Sequence, residues 1–232
     1  GIEAAVSEKM KSERFRTELI TNVSHDIKTP LTSIINYVDL LQKEDIDNEK
    51  VREYLDVLDR QSSRLKKLIQ DLLEASKAST GSINVELEEL DAAVMLSQVA
   101  GEYEEKFKKN NLDLIIKNDV TPVMIQADGR HLWRVFDNLM NNINKYAQPC
   151  TRVYIDIIPK DSGAIITFKN VSATPLNISS DELKERFVRG DSSRNTEGSG
   201  LGLSIAESLM KLMNGTLELT VDGDLFKVTL EF

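Results

Sequence analysis

Two histidines occur among 232 residues, and only one sits where chemistry is expected. His25 lies in Ser24-His25-Asp26-Ile27-Lys28-Thr29-Pro30-Leu31, inside a long apolar-periodic stretch able to present a side chain to a partner. His131 opens a second helical pattern behind Asp128 and has no nucleophile-like neighbours, so it is given no chemical role. A second set of residues is Asp137-Asn138-Leu139-Met140-Asn141-Asn142-Ile143-Asn144-Lys145-Tyr146, where Asn138 and Asn142 are four apart and share a helix face. Asparagine is a poor helix former, so four of them in seven residues call for another reason. Carboxamide oxygens can hold a divalent ion without adding charge, and Lys145 can meet a phosphate as a point charge. The third set, Gly198-Ser199-Gly200-Leu201-Gly202-Leu203, immediately precedes a helical pattern. Glycines there allow close backbone approach, and amides at a helix N-terminus attract phosphate. The run lacks the lysine of a P-loop and follows no strand of a βαβ unit, so neither that motif nor a dinucleotide fingerprint applies. Taken together, the three sets point to a phosphoryl donor brought to His25.

The bulk numbers bound this picture. The length suits one large domain or two ordinary ones, and 41% apolar with 29% charged residues fits a soluble, packed protein. No apolar run approaches the roughly 20 residues needed to cross a bilayer, so this stretch of chain is not expected to cross a membrane. The single cysteine, Cys150, excludes an internal disulfide and any cysteine-rich metal site. A net charge of -9 argues against a nucleic-acid surface. Residues 1–80 carry 13 basic and 15 acidic side chains, residues 81–232 carry 16 and 23. An acidic domain that holds a polyphosphate needs a divalent cation or local basic groups. A chain that runs straight into helix-like sequence is expected to follow further segments in the intact protein.

Two long helices must position His25. Phe15, Leu19, Val23, Ile27, Leu31, Ile34, Ile35, Val38 and Leu41 recur at steps of three and four, predicting a helix over 2–42 with a local kink at Pro30. Lys43 to Lys50 predicts a turn, and a second helix spans 49–78 with Val51, Leu55, Leu58, Leu65, Leu68, Leu72 and Leu73 as its apolar face. Ser79-Thr80-Gly81-Ser82 reads as a stop and linker. Neither stripe can be fully buried by the other, and a symmetric dimer forming a four-helix bundle is the economical solution.

From Ile83 the pattern becomes mixed. Val85-Glu86-Leu87-Glu88 predicts a short strand, 90–109 a helix, 112–116 and 123–127 strands, and 130–146 a helix capped by Asp128. Strands are expected at 151–158 and 164–170, joined through Pro159-Lys160-Asp161-Ser162-Gly163. Residues 171–199 predict a long loop with a helical patch at 180–187; a helix over 201–213 and strands at 216–221 and 225–232 follow. The fold class is α+β: a helical hairpin over 1–80, then an α/β sandwich over 81–232 with a mixed sheet and helices on one face.

The stretch Ser24–Leu31 resembles the H-box of bacterial two-component sensor histidine kinases, and Asn138–Tyr146 resembles their N-box. Phe187-Val188-Arg189-Gly190 is similar to the F-box, Gly198–Leu203 to a glycine box, and Met213-Asn214-Gly215-Thr216 falls where the family has another glycine element. Order and spacing match along essentially the whole chain. The resemblance implies an ATP-binding domain of the histidine kinase, gyrase and chaperone type, with ATP and Mg2+ as its ligands. It implies that His25 accepts phosphate, that Asp26 orients its ring and serves as acid or base beside it, and that Thr29 positions the water for phosphatase action. Asn142 is then the main magnesium ligand with Asn138 beside it, Lys145 meets phosphate, and Tyr146 lines the nucleotide pocket. Gly198, Gly200, Leu201 and Gly202 let a lid over 171–197 close. Arg189 and Arg194 lie in the same stretch, where phosphate contact and plain solvation both fit. The implied partners are a second copy of the 1–80 helices and the receiver domain of a response regulator, with an upstream anchor placing this segment on the cytoplasmic side of an inner or plasma membrane.

One box departs from the pattern. Where the family has Asp-x-Gly-x-Gly, this chain has Asn170-Val171-Ser172-Ala173-Thr174. Asn170 can still accept a hydrogen bond from the adenine amino group, without charge, so weaker adenine binding is expected. The alternative function is a degenerate kinase acting as a phosphatase or a dimeric scaffold. It would keep the bundle and Thr29 and take no label from ATP. A gyrase- or chaperone-like ATPase would carry the nucleotide motifs but have no need of His25 in a long hairpin.

Overall fold

The computed structural model describes residues 27–44, 46–79, 81–118, 122–176 and 201–232. The chain divides into two compact units, one reaching Ile83 and the other beginning at Asn84.

The first unit is a helical hairpin. Residues 27–43 form helix α1, which runs on through Pro30, and α2 spans Glu49–Ser79. The Gln42 amide donates to the Asp56 carboxylate at 3.3 Å and the Arg52 guanidinium to the Ile46 carbonyl at 2.9 Å, so the end of α1 lies against the start of α2. Burial follows a heptad. Leu31 and Val38 on α1, and Leu55, Ser62, Ile69 and Ser76 on α2, are buried at seven-residue spacing. A second stripe at the same spacing stays exposed: Ile27, Ile34 and Leu41 on α1, Leu58, Leu65 and Leu72 on α2. The hairpin therefore buries one seam of each helix and leaves an apolar one exposed.

The second unit opens with β1 (Glu88–Asp91), α3 (Ala92–Lys109), β2 (Asp113–Asn118), β3 (Met124–Ala127) and α4 (Gly129–Tyr146). The expected strand at 85–88 in fact begins at Glu88. Asp91 explains the shift: it pairs with Met124 as the last residue of β1, and its carboxylate accepts from the N–H groups of Ala93 and Val94 to cap α3. β1 and β3 form a separate two-stranded sheet rather than joining a single mixed one.

The main sheet adds β4 (Arg152–Lys160), β5 (Gly163–Val171), β6 (Thr216–Asp222) and β7 (Leu225–Glu231), in the order β2-β4-β5-β7-β6. Only β2 and β4 run parallel. The expected 159–163 connection is shorter than the sequence indicates, because Pro159 pairs with Ala164 and Lys160 with Gly163. Pro159 sits near the end of β4, past Ile157, the last β4 residue paired with β2 among the described residues. Helix α5 (Gly202–Leu212) leads into β6. Gly215, between them, sits where a Cβ would meet the Glu231 carbonyl at 2.8 Å. Val153, Ile155, Ile166, Phe168, Val228 and Leu230 of the sheet are buried together with Leu96, Val99, Phe136, Met140, Ile205 and Leu209 of the helices, which forms one core.

Asp128 fixes where α4 begins. It is 2% exposed and accepts from the N–H groups of Arg130 at 3.0 Å, His131 at 3.3 Å and, across the chain, Glu86 at 3.0 Å. Burial by itself raises the carboxyl pKa; the hydrogen bonds from Glu86 and His131, the nearby His131 ring and the Arg130 N–H outweigh it and hold the group below the usual carboxylate range. Its folded pKa is depressed, so its stabilisation is present above the unfolded value of about 3.9 and lost as pH falls through the folded one. Asp128→Ala is expected to cost roughly 1–3 kcal/mol near neutrality and less in acid, measured by urea unfolding across the two conditions. His131 also has a structural contact: its Nε2 lies 3.1 Å from the Asn84 carbonyl.

Candidate functional site

Helix α4 sorts its residues onto three faces. Leu132, Phe136, Leu139, Met140 and Ile143 enter the core. A second face meets α3: the Tyr103 hydroxyl donates to the Asp137 carboxylate at 2.6 Å, and the Asn110 amide donates to both the carbonyl and the side-chain oxygen of Asn144 at 2.9 Å. Burial, then the hydrogen bond and charge of Asp137, push the Tyr103 hydroxyl pKa well up, so it stays a donor. The third face carries Asn138, buried, and Asn142, half-buried, one turn apart. The asparagine run thus divides its labour, with Asn144 holding α3 while Asn138 and Asn142 are left for the site.

Helix α5 brings Gly202 to that face. A Cβ at 202 would stand 3.4 Å from Asn138 Oδ1, an ordinary van der Waals contact, so the start of α5 lies directly against the asparagine. No side chain caps α5; Leu201 occupies the cap position, and its carbonyl accepts from the Ser204 hydroxyl at 2.8 Å and the Ile205 N–H at 2.9 Å. Among the described residues no capping side chain serves the first turn of α5, which suits an anion.

The end of β5 lies beside the exit of α4. The Ala173 N–H donates to the Tyr146 carbonyl at 2.8 Å, and the Gln148 N–H to the Val171 carbonyl at 2.8 Å, tying the exit of α4 to the exit of β5. Asn170, one residue before Val171, is 4% exposed. Its Nδ2 donates to the Val171 carbonyl at 3.2 Å, while its Oδ1 is buried without a partner. Asn138 Nδ2 is likewise buried and unpartnered. Buried polar atoms without partners are costly, and these two fit a ligand that supplies a donor and an acceptor.

Asn138 and Gly202 thus come together, and Asn170 joins Tyr146 through the β5–α4 ties. Asn142, Lys145 (exposed) and Leu201 stand on the same two helices. Thr29 is exposed on α1, its carbonyl accepting from the Ser33 hydroxyl at 3.3 Å. His25, Asp26, Arg189, Arg194, Gly198 and Gly200, the helical patch at 180–187 and most of the expected 171–199 loop lie outside the described residues. Among the described residues no group of three or more His, Cys, Asp or Glu side chains is placed to hold a metal. A divalent ion at this site would be held by carboxamide and phosphate oxygens, for which Asn142 and Asn138 are suited.

Two family descriptions match the chain. The His Kinase A (phospho-acceptor) domain covers residues 15–81, and the Histidine kinase-, DNA gyrase B-, and HSP90-like ATPase covers 127–232. The chain belongs to the sensor histidine kinases. It is 31% identical over 210 residues to Sensor protein VanSC of Enterococcus gallinarum, spanning 89% of this chain and 58% of that one. It is 29% identical over 218 residues to Sensor protein kinase WalK of Staphylococcus aureus, spanning 91% and 52%. The chain therefore spans little more than half the length of these relatives. Among solved structures, full-length ShkA in complex with AMPPNP superposes with a TM-score of 0.75 at 20% identity, covering 92% of this chain and 45% of that one. The Acinetobacter baumannii histidine kinase AdeS gives 0.62 at 17%, covering 90% and 96%.

Within this histidine kinase the divergent box has a definite structure. Ser172 stands at the place of a glycine and is 8% exposed. Its N–H donates to the Asp224 carbonyl at 2.7 Å, and its hydroxyl bridges the carbonyl and N–H of Thr174 at 2.8 and 3.3 Å. The backbone is pinned where the family pattern has glycine freedom. Sequence reasoning flagged the loss of glycine but not this serine turn, although Ser-x-Thr-Pro is a readable turn signal.

Proposed function

We propose that this chain is the kinase core of a two-component sensor: ATP-dependent phosphorylation of His25, then transfer to an aspartate of a response regulator, with phosphatase activity towards that regulator. Residues 1–80 serve dimerisation and phosphotransfer, and residues 81–232 bind ATP. The observations that carry this reading are Gly202 lying against Asn138, one turn from Asn142, and the buried unpartnered Asn138 Nδ2 and Asn170 Oδ1, in a chain whose segment containing His25 matches the phospho-acceptor family.

Phosphoryl transfer needs alignment and charge compensation more than covalent help. Mg2+, when bound, would neutralise charge on the phosphates, with Asn142 and Asn138 as its protein ligands. Lys145 and the N-terminus of α5 take the remaining phosphate charge, with Gly198, Gly200, Leu201 and Gly202 allowing the backbone to approach. Tyr146 and Asn170 hold the base, and Arg189 meets phosphate. Asp26 keeps the His25 ring oriented, and Thr29 holds the hydrolytic water in the phosphatase step.

A second copy of the chain is the partner that covers the exposed seam of Ile27, Ile34, Leu41, Leu58, Leu65 and Leu72. No helix among the described residues is long and apolar enough to cross a membrane. The resemblance to membrane-bound sensor kinases implies an anchor outside this stretch of chain.

The test is incubation of the chain with γ-labelled ATP and magnesium. Label that is lost in acid and kept in base is expected, the signature of a phosphoramidate. A folded dimer that takes no label overturns the kinase reading and leaves the phosphatase or scaffold reading. The pinned box at Asn170–Thr174 is the observation that favours this second reading.

A further inference from the structure

Resting on that reading and deepening it, we propose that the base end of the nucleotide pocket takes 6-oxopurine nucleotides as well as 6-aminopurine ones, because the Asn170 carboxamide can present either of its ends. Asn170 is 4% exposed, with Oδ1 unpartnered and Nδ2 held only by the adjacent Val171 carbonyl at 3.2 Å. In this orientation the free end is an acceptor, which suits an amino group at purine position 6. A half-turn about χ2 exchanges the ends, so that Nδ2 becomes the free donor and suits an oxo group at the same position.

The surroundings limit what that exchange costs. The Val171 carbonyl also accepts the Gln148 N–H at 2.8 Å, so it keeps a donor when the Asn170 amide turns away. What is lost is one ordinary hydrogen bond, and what is added is one contact between two oxygens. The backbone offers no other way to adapt. Ser172 is fixed to Asp224 and Thr174, and Ala173 to Tyr146, so the choice of base falls on the side-chain rotation alone. A carboxylate at this position has acceptors at both ends and a charge; no rotation lets it donate to an oxo group.

The test compares ADP with IDP, which share ring shape and differ at position 6 and in the proton that the 6-oxopurine carries on N1, by calorimetric titration of the 232-residue chain in magnesium. The chain is expected to favour ADP by about ten- to hundredfold, the worth of one lost hydrogen bond and one contact between two oxygens. Asn170→Asp is expected to widen the preference to roughly a thousandfold or more by rejecting IDP, as an acceptor-only site leaves an oxo group unpaired. The proposal is overturned if the unaltered chain binds ADP and rejects IDP by more than roughly a hundredfold, a result that needs no variant to be folded. It is also overturned if Asn170→Asp binds ADP and leaves the ratio unchanged. If the unaltered chain binds neither nucleotide, the ATP-binding reading fails and this one with it.

Discussion

His25→Gln and Asn142→Ala are both expected to end labelling from γ-labelled ATP, and to differ in nucleotide binding. His25 is the only histidine in the H-box stretch, and glutamine has no ring nitrogen to accept a phosphoryl group. Its loss should be complete. His25 belongs to the hairpin unit, whereas Asn138, Asn142, Asn170 and Gly202 belong to the other, so His25→Gln should bind Mg·ADP as the unaltered chain does. Asn142 is half-buried on the face of α4 that carries Asn138, one turn away. Alanine removes a neutral oxygen from the proposed magnesium site while keeping helix propensity, so folding should survive. Labelling should fall by about two to three orders of magnitude, the usual cost of deleting one preorganised group around a transferring charge. Mg·ADP affinity should fall with it. Phosphoramidate counts and calorimetry on the two variants separate the roles. Label retained by His25→Gln would remove His25 from the mechanism, and unchanged Mg·ADP affinity in Asn142→Ala would remove Asn142 from the metal site.

Much of this site could be read before any coordinates. The cap at Asp128, the i,i+4 pair Asn138 and Asn142, and the glycine run ahead of α5 are local features, in which residue types a few positions apart decide the outcome. The hairpin was legible for the same reason, through its repeating apolar positions, although sequence periodicity did not separate the buried seam of Leu55 and Ile69 from the exposed seam of Leu58, Leu65 and Leu72. What escaped depends on distant partners. β1 has the composition Glu-Glu-Leu-Asp, poor for a strand, and exists because β3 pairs with it. That β1 and β3 stand apart from the main sheet is equally a matter of pairing. The contact between Gly202 and Asn138 joins residues far apart in sequence, and the two unpartnered carboxamide atoms appear only once the chain has closed around them. Asn170 was readable as a departure from a pattern; that Val171 holds its Nδ2 was not.

Phe136→Ala is expected to be the most destabilising of these substitutions in the ATP-binding unit, by about 3–5 kcal/mol. Phe136 is fully buried, and its ring centroid lies 5.9 Å from that of Phe168 at an interplanar angle of 48°. This pair packs α4 on β5, which carries Asn170. Truncation removes the ring contact and leaves a cavity between helix and sheet, where neither element can readily move in: β5 is paired to β4 and β7 on either side, and α4 is tied to α3 through Tyr103 and Asn110. Domains of this kind are stable by about 5–15 kcal/mol, so the loss is a large fraction of the whole. Urea unfolding followed by tryptophan fluorescence reads it directly, since Trp133, the only tryptophan, lies on α4 itself. Val94→Ala, 54% exposed on the first turn of α3, is the control and should change stability by no more than about 0.5 kcal/mol. Equal effects from the two would mean that the core does not hold α4 in place. If Phe136→Ala alone falls, Mg·ADP binding should weaken in the fraction that stays folded, because the helix that fills the core on one face presents Asn138 and Asn142 on another.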